Sequence, residues 1–238
     1  MSQYLALATD FDGTIAHDGV VDEPTLAALR RLKASGVKII LVSGRELTDF
    51  LNVFTHDDIF DLLVLENGAL LYDPSAKQTH RLSPAPPEPF VQRLREQNIP
   101  LSVGHSVVAT VEPHHHAVLD AIREFGLEWT VTFNKGSVMC LPAGVTKATG
   151  LTPALEQLGI TLEQTVAVGD AENDHAMLQQ CGLAVAVANA LESVKNDADL
   201  VTAGKRGDGV QELIERWLTT GLVDVGRSPS PGAPVQDD

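Results

Sequence analysis

Cysteine is scarce in this chain, with only Cys140 and Cys181 among 238 residues. No CxxC or CxxxC spacing exists, which excludes the usual zinc-binding patterns. Two isolated thiols read as buried and reduced, as in a cytoplasmic protein. Positive charge is also in short supply: 17 Lys and Arg face 32 Asp and Glu, a formal net charge of −15. A surface of that sign repels polynucleotide phosphates and anionic membranes, so neither is expected as a partner. It repels small anions as well. Any phosphate site must therefore be made attractive locally, by a metal ion, a lysine or backbone N–H groups. No apolar run approaches the ~20 residues of a membrane helix. The N-terminal stretch "MSQYLALATD" has no basic segment and no cleavage site, so a signal peptide is not expected. Internal repeats are absent too.

What is present reads as globular. A chain of 238 residues, 44% hydrophobic and 21% charged, suits one large domain or two small ones. Five short runs rich in Val, Ile and Leu lack polar alternation: residues 4–10, 37–43, 62–67, 165–170 and 183–189. Strands covered on both faces of a parallel sheet look like this. Between the first two, "DEPTLAALRRLKASG" (22–36) starts with an acid and a proline, repeats Leu26, Leu29 and Leu32, and stops at Gly36. That is a helix with its start and stop signals, and strand–helix–strand at this spacing is a βαβ unit.

The middle of the chain changes character. It enters through a proline-rich stretch, "WTVTF" alternates strictly, and "TFNKGSVMCL" reads as a hairpin turning at "NKG". Helices are expected near 87–97 and 114–125. The expected organisation is an α/β, parallel-sheet core over residues 1–72 and 144–224. An α+β insert occupies 73–143, and a disordered tail, crowded with Pro, Gly and Ser, occupies 225–238.

The chemistry-bearing residues gather at strand ends. In "DFDGT" (10–14), Asp10 closes the first apolar run and Asp12 follows two positions on. Ser43 in "VSGR" (42–45) closes the second, and Asp170 in "GDAENDHAM" (169–177) another. Ligands of open α/β sheets bind at the carboxyl ends of the strands, so residues distant in sequence converge there. Clustered carboxylates repel one another unless a hard cation intervenes, and Mg2+ suits oxygen ligands shared with a phosphate. The Ser43 hydroxyl, the Gly44 backbone N–H and Lys147, at a helix start in "GVTKATGL" (144–151), complete the parts of a phosphoryl site.

Those four motifs, in that order, resemble the haloacid dehalogenase superfamily phosphatases, and more narrowly the Cof-like branch with a C2-type (class IIB) cap. "LENGALLYD" (65–73) is similar to the branch's exit into the cap, and "VAVANALESVKNDADLVT" (185–202) with "GDGVQELI" (207–214) to its C-terminal pattern. The resemblance spans residues 5–218. It implies a Rossmann-like core, an inserted cap and a phosphatase for a small phosphorylated metabolite, a sugar phosphate or something phosphoglycolate-like. It implies Asp10 as nucleophile forming an aspartyl-phosphate and Asp12 as general acid and then base. It implies Mg2+ held by Asp10, the Asp12 carbonyl and Asp170, with Asp174 binding it directly or through water. Ser43, Gly44, Lys147 and Asn173 are then the phosphate-binding residues. The cap is short for the branch, closer to those of archaeal-type phosphoglycolate phosphatases or sucrose-phosphate-type enzymes.

Two other functions share these motifs. A phosphomutase-type transferase needs the same Asp10 and Asp12. A non-catalytic sensor of phosphometabolites would tolerate loss of Asp12, which is intact. A monomer or homodimer is expected. Outside the motifs, His114, His115 and His116 read as an exposed helix start, because neighbours on a helix point about 100° apart and cannot close on one ion. His175 reads as structural, Arg45 as a bridge between acids, and Glu172 as either a supporting acid or a solvated one. Arg81, Arg93, Arg123 and Lys135 are the candidate cap contacts to substrate.

Overall fold

The computed structural model describes residues 4–134 and 136–225. The tail expected to be disordered, from residue 226 onward, and Lys135 lie outside the described residues. In chain order the strands and helices are β1 (Ala6–Thr9), α1 (Glu23–Ala34), β2 (Lys38–Val42), α2 (Leu47–Val53), β3 (Leu62–Leu65), β4 (Leu70–Asp73) and β5 (Gln78–Arg81). There follow α3 (Glu88–Glu96), β6 (Ser102–Val103), β7 (Val108–Val111), α4 (His115–Glu124), β8 (Trp129–Asn134) and β9 (Ser137–Pro142). The chain continues with α5 (Lys147–Leu158), β10 (Thr165–Gly169), α6 (His175–Gln180), β11 (Leu183–Ala186), α7 (Glu192–Asn196), β12 (Leu200–Val201) and α8 (Arg206–Thr220).

Eight strands form one sheet in the order β12-β11-β10-β1-β2-β3-β4-β5. The first six run parallel, and β4 and β5 are antiparallel additions at one edge. All five apolar runs are parallel strands. The sixth, β12, has only two residues and offers no run to read. Every residue of β1, β3 and β11 is buried, so both faces of the sheet are covered, which is why the runs show no polar alternation. Helix α1 obeys its sequence signals. The Asp22 carboxylate accepts from Thr25 N at 2.8 Å, Leu26, Leu29 and Leu32 are buried, and the chain leaves through Gly36 at φ +96°. It packs against α8, while α5 lies over β2, β3 and β4 and against α6.

From β1 the chain builds outward through β2 and β3, then returns on the other side of β1 at β10. The crevice between β1 and β10, at their carboxyl ends, is the switch point of the sheet.

A second, antiparallel sheet has the order β6-β7-β9-β8. The β8–β9 hairpin pairs Asn134 with Ser137, so its turn falls where "NKG" was expected to place it. Helices α3 and α4 cover one face, burying Phe90, Leu94, Val118 and Ile122 against Val108 and Cys140. On the other side of the sheet Met139 and Leu141 meet Val107 and Ala69, the last from the large sheet's side of the molecule.

The start of the insert differs from the expectation. Residues 73–81, read as the beginning of the α+β segment, complete the β4–β5 hairpin of the large sheet. The Asp73 carboxylate accepts from the N–H groups of Ser75 and Ala76, so Pro74 sits inside a tight turn rather than in a linker. The passage to the second sheet is residues 82–87, and the return is 143–145.

Candidate active site

Asp10 follows directly on β1, with its N–H donated to the Val168 carbonyl of β10 at 3.0 Å, so the strand pairing itself carries it to the switch point. The chain then turns on Phe11, whose carbonyl accepts from Thr14, Ile15 and Ala16. Gly13 sits at φ +98°, and a Cβ there would collide with the Asp170 carboxylate, so the turn can lie on Asp170 only with glycine at this position. Asp170 follows β10 in the same way as Asp10 follows β1. Its Oδ1 accepts from the Thr14 hydroxyl at 3.2 Å. Asn189 Nδ2 donates to the Gly13 carbonyl at 2.8 Å and lies 3.5 Å from Asp170 Oδ2.

Lys147 is the first residue of α5, set by the Thr146 cap, and its ammonium is buried. It donates to Asp10 Oδ1 at 2.5 Å and to Asp174 Oδ1 at 2.6 Å. The other Asp174 oxygen accepts from the N–H groups of Asp170 and Ala171, at 2.9 and 3.0 Å. Ligand atoms of Asp10, Asp170 and Asp174 all lie within 4.8 Å of one another. Burial pushes the Asp10 carboxyl up to about 7, Asp174 and Asp170 add to the rise, and Lys147 opposes it. Burial acts alone in lowering Lys147, but Asp10 and Asp174 outweigh it and hold the ammonium above its ordinary value. Three carboxylates gather around one ammonium in a buried site, so the acids outnumber the lysine there. That excess and the all-oxygen donor set fit a divalent cation.

The Asp12 side chain stands apart from this trio. Arg45 grips it, Nε at 2.6 Å and a terminal nitrogen at 2.8 Å, while another Arg45 nitrogen holds Asp49 at 2.6 Å. Arg45 therefore bridges acids as expected. Ser43 is buried at the end of β2, and Asn173 Nδ2 donates to Asn67 Oδ1 at 3.1 Å. Asp10, Asp12, Ser43, Gly44, Lys147 and Asn173 border a single cavity of about 580 Å³. Asp170 borders an adjoining cavity of about 900 Å³, and Asp174 lies wholly buried beneath Lys147. Arg81, Arg93 and Arg123 border neither cavity. Arg93 pairs with Glu124 and Arg123 with Asp120 on the surface. His115 turns to Glu112 at 2.8 Å and His175 to Asp197 at 3.2 Å.

Thr14 and Asn189, which orient Asp170, were not singled out by sequence reasoning, although both lie inside quoted motifs. Glu66 and Asn67 were also missed. Both have positive φ, 54° and 55°, which swings their side chains off the end of β3. Asn67 donates to Met139 Sδ at 3.3 Å, tying the second sheet to Asn173. Glu66 is fully buried and accepts from the N–H groups of His105 and Ser106, at 2.9 and 2.8 Å. Glu66→Ala leaves those donors unpaired and is expected to cost about 2–4 kcal/mol in denaturant unfolding, with Glu66→Gln costing less. Equal stability of Glu66→Ala and wild type would show that water replaces the carboxylate.

Carboxylates, a buried lysine and a hydroxyl meet at the switch point of a parallel sheet, beneath an inserted α+β module, and could hold a divalent cation in an α/β fold. A family model described as haloacid dehalogenase-like hydrolase matches residues 7–123 and 117–214. The chain belongs to the haloacid dehalogenase-like hydrolases. It is 28% identical to phosphoglycolate phosphatase 1 of Saccharolobus solfataricus, over 88% of this chain and 93% of that one. It is 27% identical to a 5-amino-6-(5-phospho-D-ribitylamino)uracil phosphatase of Bacillus subtilis, over 89% and 95%. Among solved structures it shares the fold of a subclass IIB sugar phosphatase of the superfamily, with TM-score 0.70, 21% identity and coverage of 89% and 98%. Among the described residues no helix is long and apolar enough to cross a membrane.

Proposed function

We propose that the protein is a Mg2+-dependent phosphatase that hydrolyses a monoester of a small phosphorylated metabolite. The observation that carries this reading is Lys147, buried and bonded to both Asp10 and Asp174 at the edge of a cavity that Ser43 and Asn173 also border. Asp10 Oδ2, the oxygen not bonded to Lys147, attacks phosphorus as the bond to the leaving oxygen breaks, and Asp12, released from Arg45 and protonated, gives that oxygen its proton. Asp12, now ionised, takes a proton from water, whose oxygen attacks phosphorus and breaks the bond to Asp10. Inorganic phosphate leaves and both acids return to their starting states. Ser43, the Gly44 N–H, Lys147 and Asn173 hold the phosphoryl oxygens throughout. Mg2+, bound by Asp10, Asp170 and the Asp12 carbonyl, would supply positive charge that screens Asp10 from the phosphate. Both Asp174 oxygens are already engaged, so Asp174 positions Lys147 and the Asp170 loop rather than binding the metal directly.

The insert, redrawn to residues 82–143, acts as the cap. It closes the cavity over Asp10 and restricts water there. The test is phosphate release from a panel that includes p-nitrophenyl phosphate, phosphoglycolate and several sugar phosphates, each supplied alone with Mg2+. Steady release from at least one ester supplied alone is the expected result. No release without a second phosphorylated compound would point to a transferase and overturn hydrolysis.

A further inference from the structure

The cavity above Asp10 is roofed by one face of the second sheet. The register sets Ser102 opposite Ala109, Ala109 opposite Met139, and Met139 opposite Thr132. Directly paired residues share a face, so these four form one row across the sheet. Ser102, Ala109 and Met139 of that row border the cavity, joined by Ser137 two residues along β9. All four of these cavity residues are uncharged. A charged side chain that reaches from the core to this row is Glu46, half-buried at the start of α2. Its carboxylate accepts from the Ser102 hydroxyl at 2.8 Å and borders the same cavity. Burial holds Glu46 above its ordinary value, with the Ser102 bond acting against the rise.

We infer that Glu46 selects the leaving group: the substrate is a phosphate monoester of a neutral, hydroxyl-bearing alcohol, a polyol or sugar, and esters whose leaving group carries its own carboxylate are disfavoured. This rests on the phosphatase reading. A leaving-group hydroxyl beside Ser102 finds an acceptor in Glu46. A carboxylate in the same place is offered no hydrogen by Glu46 and meets a like charge beside Ser102. Arg45 does not offset this, because its nitrogens are engaged by Asp12 and Asp49. Arg206 borders this cavity too, but the charged group bonded to the Ser102 hydroxyl is Glu46. A cavity of about 580 Å³ accommodates a sugar-sized leaving group beside the phosphate.

The test uses two pairs of esters matched in length, each pair differing only in carboxylate against hydroxymethyl: 3-phosphoglycerate with glycerol 3-phosphate, and phosphoglycolate with 2-hydroxyethyl phosphate. The neutral member of each pair is expected to have at least about a tenfold higher kcat/KM. Glu46→Gln, which keeps the acceptor for Ser102 but removes the charge, is expected to shrink that preference by about tenfold, chiefly by lowering KM for the carboxylate esters. Ser102→Ala breaks the same hydrogen bond and keeps the charge, so the preference should persist within about threefold. If Glu46 were only a latch between the sheets, the two variants would act alike on both members of each pair. Equal kcat/KM within the pairs, or a preference untouched by Glu46→Gln, overturns the inference while hydrolysis of p-nitrophenyl phosphate keeps the phosphatase reading. Phosphate release from none of these esters in Mg2+ overturns both.

Discussion

Asp10→Asn is expected to lower phosphate release by about three orders of magnitude or more while the protein stays folded. The amide keeps the size of the carboxyl and an oxygen that can face Lys147, so the 2.5 Å bond has a counterpart. It has no anionic oxygen to attack phosphorus. The loss should appear on every ester alike, because Asp10 acts on the phosphoryl group common to all of them. Far-UV circular dichroism and a melting curve separate this from unfolding. Near-normal turnover in the variant would remove Asp10 as nucleophile and with it the mechanism above.

Stripping divalent metal with EDTA is expected to abolish turnover, with Mg2+ restoring it and Ca2+ restoring it poorly, since Ca2+ takes a larger and looser ligand shell. The metal-free protein carries a second signature. Burial, reinforced by Asp174 and Asp170, raises Asp10 from 3.8 to about 7. Between those values the folded protein keeps a proton that the unfolded chain has released. The associated stability is therefore complete below 3.8 and is lost as pH rises through about 7. In EDTA the melting temperature should fall between about pH 4 and about pH 7. On this reading Mg2+ would bind the ionised carboxylates and neutralise their repulsion, so the rise in melting temperature it produces should grow over the same interval. Asp10→Asn, which cannot ionise, should flatten the fall. A melting temperature indifferent to Mg2+ at the upper pH would rule out Asp10 and Asp170 as the metal site.

The two effects have one origin. Asp10, Asp170 and Asp174 are brought together and buried at the carboxyl ends of β1 and β10, with Lys147 bonded to two of them. A group kept at such cost in a crevice marks a site of chemistry. Glu66 shows the same economy used for structure: its buried carboxylate satisfies two N–H groups of the 104–106 loop and so fixes how the second sheet sits over the first.

Much of this was legible before any coordinates. The apolar runs gave up the parallel strands because both faces of those strands are covered, which leaves a local, contiguous signal in β1, β2, β3, β10 and β11. Helix α1 carries its own start and stop in Asp22 and Gly36. Asp10, Ser43 and Asp170 stood out because a polar residue ending a buried strand is a local feature too. Where the signal was not local, sequence reading fell short. Residues 78–81 are exposed throughout and alternate with nothing, so only their pairing with β4 shows that they belong to the large sheet. The left-handed conformation of Glu66 and Asn67 is imposed by what their side chains reach, His105, Ser106 and Asn173, and no composition rule announces it at a non-glycine residue. The partnership of Glu46 with Ser102 depends on how one sheet lies across the other. The sequence by itself determined the strands, the α/β class and the identity of the acids at the strand ends, because burial periodicity and residue chemistry act within a few positions of the chain. Only the tertiary structure decided which of those acids lie together in one cluster, that Asp12 turns to Arg45 instead, and which face of the insert looks down on Asp10, because strand order, register and the docking of two sheets are long-range choices that no short stretch of sequence encodes.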